Sequence, residues 1–447
     1  MEIPRIISVD DHVVEPPDLW SSRLPEKYRE RGPRVLRKKV KMGIIGGVFS
    51  FEVSEDDGVD CDVWYYDDLV YPFTRLSAAV GAEVVQNEPC TFDDILPGCY
   101  DQTARLADMD ANHVEASICF PNILPRFCGQ TFLEREDKEL AMACITVYND
   151  WMIDEWCAGA GYGRLIPMTI VPLWDVELAA KEIHRCAAKG SHSITFSESP
   201  VPLGLPSVHS GYWDPMFAAC VETDTVVNMH IGSSSKMPST APDAPFIISS
   251  VLTFQNAMGS VLDYVFGGVF ERFPDLRVAY SEGQAGWLPY ILERADKLWE
   301  ERLLDRTGFG SNLTVPPSTY MKQNVWYCIF DDETAMKNRD AEGAVRAALA
   351  LEQAIVDWQV DTLQSDVLDR CRATLRSMIS QLGDAAVSGV RDPREVVSPY
   401  VEAMLAVRAT VRAEKRFDLS DVIRDAFLAL GVEVRDTPSG VEWNLPN

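Results

Sequence analysis

Up to about residue 335 the chain alternates short apolar, β-branched runs with longer stretches of helical spacing. The runs fall at 6–9, 115–120 (EASICF), 165–171 (LIPMTIV), 193–196 (SITF), 226–231 (VVNMHI), 276–281 (LRVAYS) and 325–330 (VWYCIF). Most are nearly continuous in apolar residues, as strands covered on both faces must be. Seven such strands with helices between them predict an α/β fold, a (β/α)8 TIM-like barrel lacking the usual last strand. The stretch 46–71, with GG, DDG and aromatic alternation, reads as a hairpin or flap inserted over one barrel end. The texture changes after Asp340. Residues 341–416 are rich in Ala, Leu and Arg at helical spacing, broken at Asp392-Pro393, and predict a helical bundle. In 417–447, Ser420 can N-cap a helix to Leu430, and VEVRD, the turn TPSG and VEWNL follow, predicting a small helix-plus-hairpin cap. Three parts are therefore expected, over 1–340, 341–416 and 417–447.

Composition narrows the classes. The 447 residues carry 41 basic and 68 acidic side chains, a formal charge of -27. That balance repels phosphate backbones, so a whole-chain nucleic-acid footprint is not expected, though it leaves room for a local basic patch. Eleven scattered Cys, without any C-x-x-C, suit reduced core thiols better than a disulfide frame or a Cys-type zinc site. The N-terminus shows no basic segment followed by an apolar run, and no window is apolar for about 18 residues. A cytoplasmic protein without membrane association is expected.

Barrel enzymes keep their chemistry at the C-terminal ends of the strands. The first run ends SVDDHVVE, where Asp10 and His12 alternate with Asp11 and so share one side. Glu198 follows the 193–196 run, His230 lies inside an otherwise apolar one, Glu282 ends the next, and Asp331 and Asp332 end the last. Burying several ionisable groups in one barrel mouth is costly unless a cation or shared protons compensate them. Oxygen and nitrogen donors suit one divalent ion, zinc first, with manganese or iron as alternatives. Asp10, His12, Glu198 and His230 are the candidate ligands, and Glu282, Asp331 and His230 the candidate catalytic groups. His209, in a Gly/Pro/Trp-rich loop, and Trp213 and Trp287 are candidate substrate-binding residues. His113, His184 and His192 read as structural or solvated.

SVDDHVVEPPDLW, RLADMDANHVEASICFPN, FSESPVPLGLPSVHSGYWDPMF, VVNMHIGSSSKMP, FERFPDLRVAYSEGQAGWLPYILERAD and YCIFDD follow in this order. Together they resemble the amidohydrolase family 2 branch, relatives of aminocarboxymuconate semialdehyde decarboxylase, over about 3–340. The resemblance implies a (β/α)-barrel metal-dependent hydrolase or non-oxidative decarboxylase. It places the family's acidic-x-His metal motif on Asp10 and His12 and its later strand-end histidine on His230, with Glu198 and Glu282 as further ligands or acid-base groups. One departure matters. The family's Ser-Asp-Tyr-Pro-His type segment after an eighth strand is missing, and AEGAVRAALALEQAI follows instead. Asp331 or Asp332 deputises, a partner subunit or the tail supplies the missing wall, or the barrel is catalytically impaired. Asp366, in LQSD, only faintly echoes the lost motif.

From about 345 to 446 the chain resembles a second family, the C-terminal region of cysteinyl-tRNA synthetases and of the cysteine ligase of mycothiol synthesis. The synthetase catalytic half is not implied: HIGS and SKMPS mimic its signatures but stand almost adjacent, where a nucleotide fold needs them far apart. Residues 345–447 hold 12 basic and 16 acidic side chains, so tRNA contact is disfavoured. The expected protein is a metal-dependent hydrolase acting on a small carbonyl- or carboxylate-bearing molecule through metal-activated water, and a homo-oligomer. The alternatives are a metal-dependent decarboxylase, or a non-catalytic barrel fused to a synthetase-derived module in an aminoacyl- or tRNA-linked pathway.

Overall fold

The computed structural model describes residues 6–45, 48–79, 87–301, 313–329 and 332, and part of 401–444. The chain forms two compact units, Met1–Met336 and Lys337–Asn447. In chain order the first contains strands β1 (Ile6–His12), β2 (Arg34–Ile45), β3 (Val48–Ser54), β4 (Val59–Tyr66), β5 (Leu69–Pro72), β6 (Val114–Phe120), β7 (Leu165–Pro167), β8 (Thr169–Ile170), β9 (Ser193–Phe196), β10 (Val226–His230), β11 (Val278–Ser281) and β12 (Val325–Tyr327). The second contains β13 (Glu433–Thr437) and β14 (Gly440–Asn444), an antiparallel hairpin.

The barrel strands are all parallel. They run β1-β6-β7 and β8-β9-β10-β11-β12 in two ladders. β7 and β8 are the 165–171 run of the sequence, divided at Pro167 and Met168, because proline has no N–H to carry the ladder on. Aspartates start the helices between strands. Asp101 accepts from the Ala104 N–H, Asp137 from Leu140 and Asp175 from Glu177 and Leu178, which satisfies donors that a helix start leaves unpaired.

Among the described residues no ladder joins β1 to β12, so both are sheet edges. Ile7 and Val9 on β1 and Trp326 on β12 are about half exposed there. A cavity of about 430 Å³ lies inside the strands, lined by residues such as Ile118, Ile166, Asn228, Ala279 and Trp326. Asp331, expected at the end of the last strand, and residues 341–400 of the expected helical bundle lie outside the described residues.

The inserted sheet is larger than the pattern suggested. Its order is β3-β2-β4-β5, and it begins at Arg34, ahead of the expected 46. The basic run RVLRKKVKM masks the alternation, since Arg37 and Lys39 pair with Asp62 and Asp60 on the facing β4, and Lys38 with Glu55 just past the end of β3. The sheet is anchored by Trp64 and Tyr66, buried against Trp20, Phe132 and Tyr148, with the Trp20 and Trp64 rings edge to face at 5.5 Å.

Candidate metal centre

β1 and β10 bring the candidate ligands together. Between Ser8 and Asp11 the pairing of β1 with β6 shifts register, an irregularity of the kind that re-aims side chains near active sites. Asp10, within it, and His12, just beyond it, meet His230, the last residue of β10. The distances are 3.0 Å from His12 Nε2 to His230 Nε2, 3.3 Å from His230 Nε2 to Asp10 Oδ1, and 3.9 Å from His12 Nε2 to Asp10 Oδ1. These are the residues whose donor atoms converge in the manner of a metal site among the described residues.

The hydrogen bonds decide what the cluster can hold. His12 Nδ1 donates to the Pro121 carbonyl at 3.0 Å and His230 Nδ1 to that of Ile231 at 2.7 Å. A carbonyl only accepts, so each Nδ1 carries hydrogen and each neutral ring turns an Nε2 lone pair on the other. Asp10 Oδ1 is buried and has no hydrogen-bond partner among the described residues. Three electron-rich atoms facing one point repel unless a cation or a proton lies between them. Ligands bound at about 2.1 Å to a tetrahedral ion stand about 3.4 Å apart, and the three observed separations bracket that value. The residues present therefore fit a divalent ion.

The electrostatics agree. Burial, and then the neighbouring His230, hold the His12 imidazole below its ordinary value. Burial works to lower His230 as well, but Asp10, the Ile231 carbonyl and Glu282 together hold it above. His230 is thus the ring that takes a proton when no metal neutralises Asp10.

Glu282 stands at the rim. Its Oε2 is 3.8 Å from His230 Nε2 and its side chain is 39% exposed. Its backbone has φ +54°, a conformation costly for a residue with a side chain and concentrated at functional sites. Burial raises its carboxyl above the ordinary range, and Asp10 adds to the shift against His230.

Glu198 is not among the converging ligands. Its buried carboxylate accepts from the Gly232 N–H, Ser234 Oγ and Asn256 Nδ2 at 3.0–3.2 Å. It ties down the loop after His230 and is not part of the converging cluster. The expected substrate contacts differ too. Trp213 is fully buried, packs edge to face on Phe196 at 4.8 Å and donates to the Pro206 carbonyl. Trp287 donates to the Gly283 carbonyl and packs against Tyr327, and His209 pairs with Asp263 at 3.0 Å. None of the three lines the cleft over the cluster. The loop that carries His209 folds down onto the helix Gln255–Phe266 rather than over the strand ends. Asp332 accepts from the N–H groups of Ala285 and Gly286.

Sequence reasoning missed the loop after β6. It presents the Pro121 carbonyl to His12 and stacks Phe127 on His230, with ring centroids 4.5 Å apart. Glu15 holds it from below: the fully buried carboxylate accepts from the N–H groups of Asn122, Ile123 and Leu124 at 2.8–3.4 Å. A carboxylate three residues past His12, in an otherwise apolar VVEPP context, was the available signal.

A family model described as Amidohydrolase matches residues 59–355, about two thirds of the chain, beginning after β1. Among solved structures, an amidohydrolase from Mycobacterium avium subsp. paratuberculosis K-10 is 19% identical, with a TM-score of 0.53 over 78% of this chain and 87% of that one. This likeness shows a TIM-barrel-type α/β fold. A 5-carboxyvanillate decarboxylase from Novosphingobium aromaticivorans, solved with manganese and 3-methoxy-4-hydroxy-5-nitrobenzoic acid, is 25% identical over 53% of this chain and 65% of that one, at a TM-score of 0.42. Curated relatives match only part of the chain, from about a tenth to about two fifths of it. A cysteine–tRNA ligase from Carboxydothermus hydrogenoformans is 45% identical over 49 residues, 11% of this chain, and the match spans 10% of that ligase's length. No helix among the described residues is long and apolar enough to cross a membrane.

Proposed function

Because the chain belongs to the amidohydrolase family, we propose that it is a metal-dependent hydrolase whose single divalent ion is held by Asp10, His12 and His230. The observation that carries the reading is the pair of Nε2 lone pairs 3.0 Å apart beside the unpartnered Asp10 Oδ1. Two imidazoles and one carboxylate are a zinc donor set, and manganese or iron are the alternatives that elemental analysis separates. When bound, such an ion acidifies a water and polarises a carbonyl.

The chain's own residues do the rest. The Pro121 and Ile231 carbonyls keep both imidazoles in the tautomer that binds, and Phe127 covers one face of His230. Glu282, at the rim, moves a proton to or from the reacting group. The same centre serves a decarboxylase, in which Glu282 protonates the carbon that loses its carboxylate; its raised pKa favours that role. Asp331, if it takes part, does so as a second acid-base group. A small-molecule substrate and self-association complete the proposal, with tRNA contact disfavoured.

Metal analysis of the purified protein tests it. About one zinc, manganese or iron per chain, lost in Asp10→Asn and His12→Ala, is expected. A folded protein that neither contains nor takes up a divalent ion refutes the mechanism.

A further inference from the structure

A second hollow lies beneath the metal ligands, inside the strands. We propose that this interior cavity is a further binding site, for a neutral aromatic molecule of one or two rings that carries a single N–H or O–H donor. The site is independent of the metal reading, since among the described residues none lines both it and the cleft over the cluster.

Side chains alternate along a strand, so Val226, Asn228 and His230 of β10 point to one side. His230 ends that row at the metal centre, and Asn228, two residues or about 6.6 Å below it, lines the cavity. Barrels ordinarily fill this space with bulky branched residues. Here Ser193, Ala279, Ser281 and Cys328 are among the lining, and about 430 Å³ stays open, within the range of about 300–1,000 Å³ of small-molecule sites. Ile118 and Ile166, which line it too, are only partly buried although they belong to inner strands, so the space is open to entry. Val9 and Trp326, about half exposed on the two sheet edges, flank the way in.

Charge and hydrogen bonding select the ligand. The basic side chains of the lining stand at the strand starts and are engaged: Arg277 Nη2 donates to the Asp224 carbonyl at 3.0 Å and pairs with its carboxylate, and His192 Nδ1 donates to the Thr223 carbonyl at 2.7 Å. Among the described residues no carboxylate lines the cavity. An ion would therefore lose its water without gaining a counter-charge, which favours a neutral molecule. Asn228, 4% exposed, supplies the direction. Its Nδ2 donates to the Ile194 and Val226 carbonyls, both at 3.2 Å, and to Ser193 Oγ at 3.0 Å. Carbonyls only accept, so that end of the amide is the nitrogen, and Oδ1 is left without a hydrogen-bond partner among the described residues. A buried carbonyl oxygen without a donor calls for an N–H or O–H from a ligand. Trp326 adds a flat wall for its ring.

Metal-loaded and chelator-treated protein are each titrated with indole and with benzofuran, which has the same shape and no donor, with binding read by calorimetry. A neutral hydrogen bond is worth about two- to tenfold in affinity, so indole should bind tighter by that ratio, equally with and without metal. Asn228→Leu should keep benzofuran binding and bring the ratio to about one. Ala279 stands beside Asn228 in register, and Ala279→Leu, which fills the cavity, should lose both probes with metal content unchanged; it keeps a readout if Asn228→Leu does not fold. A wild type that takes up neither probe, its interior filled by the chain itself or by a second copy, overturns the proposal. So does an Ala279→Leu protein that binds both probes as wild type does, or an Asn228→Leu protein that keeps the wild-type preference. Binding that disappears on chelation overturns it too, since the probes then sit in the metal cleft.

Discussion

Glu15 offers a quantitative check on how the metal-site loop is supported. Burial pushes its carboxyl up from 4.5 to about 7, against the backbone N–H groups that favour the charged form, Asn122 and Ile123 foremost. In the unfolded chain it ionises at the ordinary value; in the folded protein it keeps its proton to about 7. Between these values the native state binds the extra proton, so stability is full below 4.5 and declines as pH rises towards 7. The whole shift is worth about 3 kcal/mol, of which about 2 kcal/mol falls between pH 5 and 7. Glu15→Gln removes the titration. It also turns an amide NH2 towards one of the backbone donors, a pH-independent cost of about 1–3 kcal/mol. Urea unfolding of chelator-treated protein, followed by tryptophan fluorescence at pH 5, 6 and 7, should therefore find wild type losing about 2 kcal/mol relative to the variant as pH rises, so that any deficit of the variant at pH 5 is gone or reversed at pH 7. A deficit that stays constant or widens would refute the reasoning.

Other perturbations separate support from chemistry. Gly232 has φ +82°, and an added Cβ would stand 3.0 Å from the Phe127 ring; Gly232→Ala should weaken metal binding about tenfold in a chelator competition, as loss of outer support does, and unchanged affinity contradicts the packing argument. Arg185 donates twice to the buried Glu182 carboxylate, at 2.7 and 2.8 Å; Arg185→Ala should cost about 3 kcal/mol in denaturant unfolding by stranding that charge, and Glu182→Gln in the same chain should recover part of it. Trp213→Ala should cost about 3–5 kcal/mol while the folded fraction keeps its metal, whereas His209→Ala, which breaks a half-exposed pair with Asp263, should change stability by at most about 1 kcal/mol and leave metal content alone. Metal loss in either of these two variants argues against their placement outside the site.

The chain itself determined the strands and the polar groups at their ends. Seven apolar runs are strands because residues buried on both faces must be apolar wherever they sit, a demand written locally. Asp10, His12, His230 and Glu282 were visible for the complementary reason: a charge or imidazole at the end of an apolar run is costly without a purpose. Partners were not legible in this way. Glu198 looked equivalent to Glu282, yet the loop of Gly232 and Ser234 and the Asn256 amide take its carboxylate. Trp213 and His209 stand four residues apart in one loop, and only folding sends one into the core and the other to Asp263. Glu15 meets Asn122 across 107 positions of chain, and Arg126 meets Ser235 across 109. Hydrophobic period and strand ends are properties of neighbours in sequence. Which donor reaches which acceptor depends on groups that only the folded chain brings within hydrogen-bond distance, and that contact decides whether a carboxylate supports the site or belongs to it.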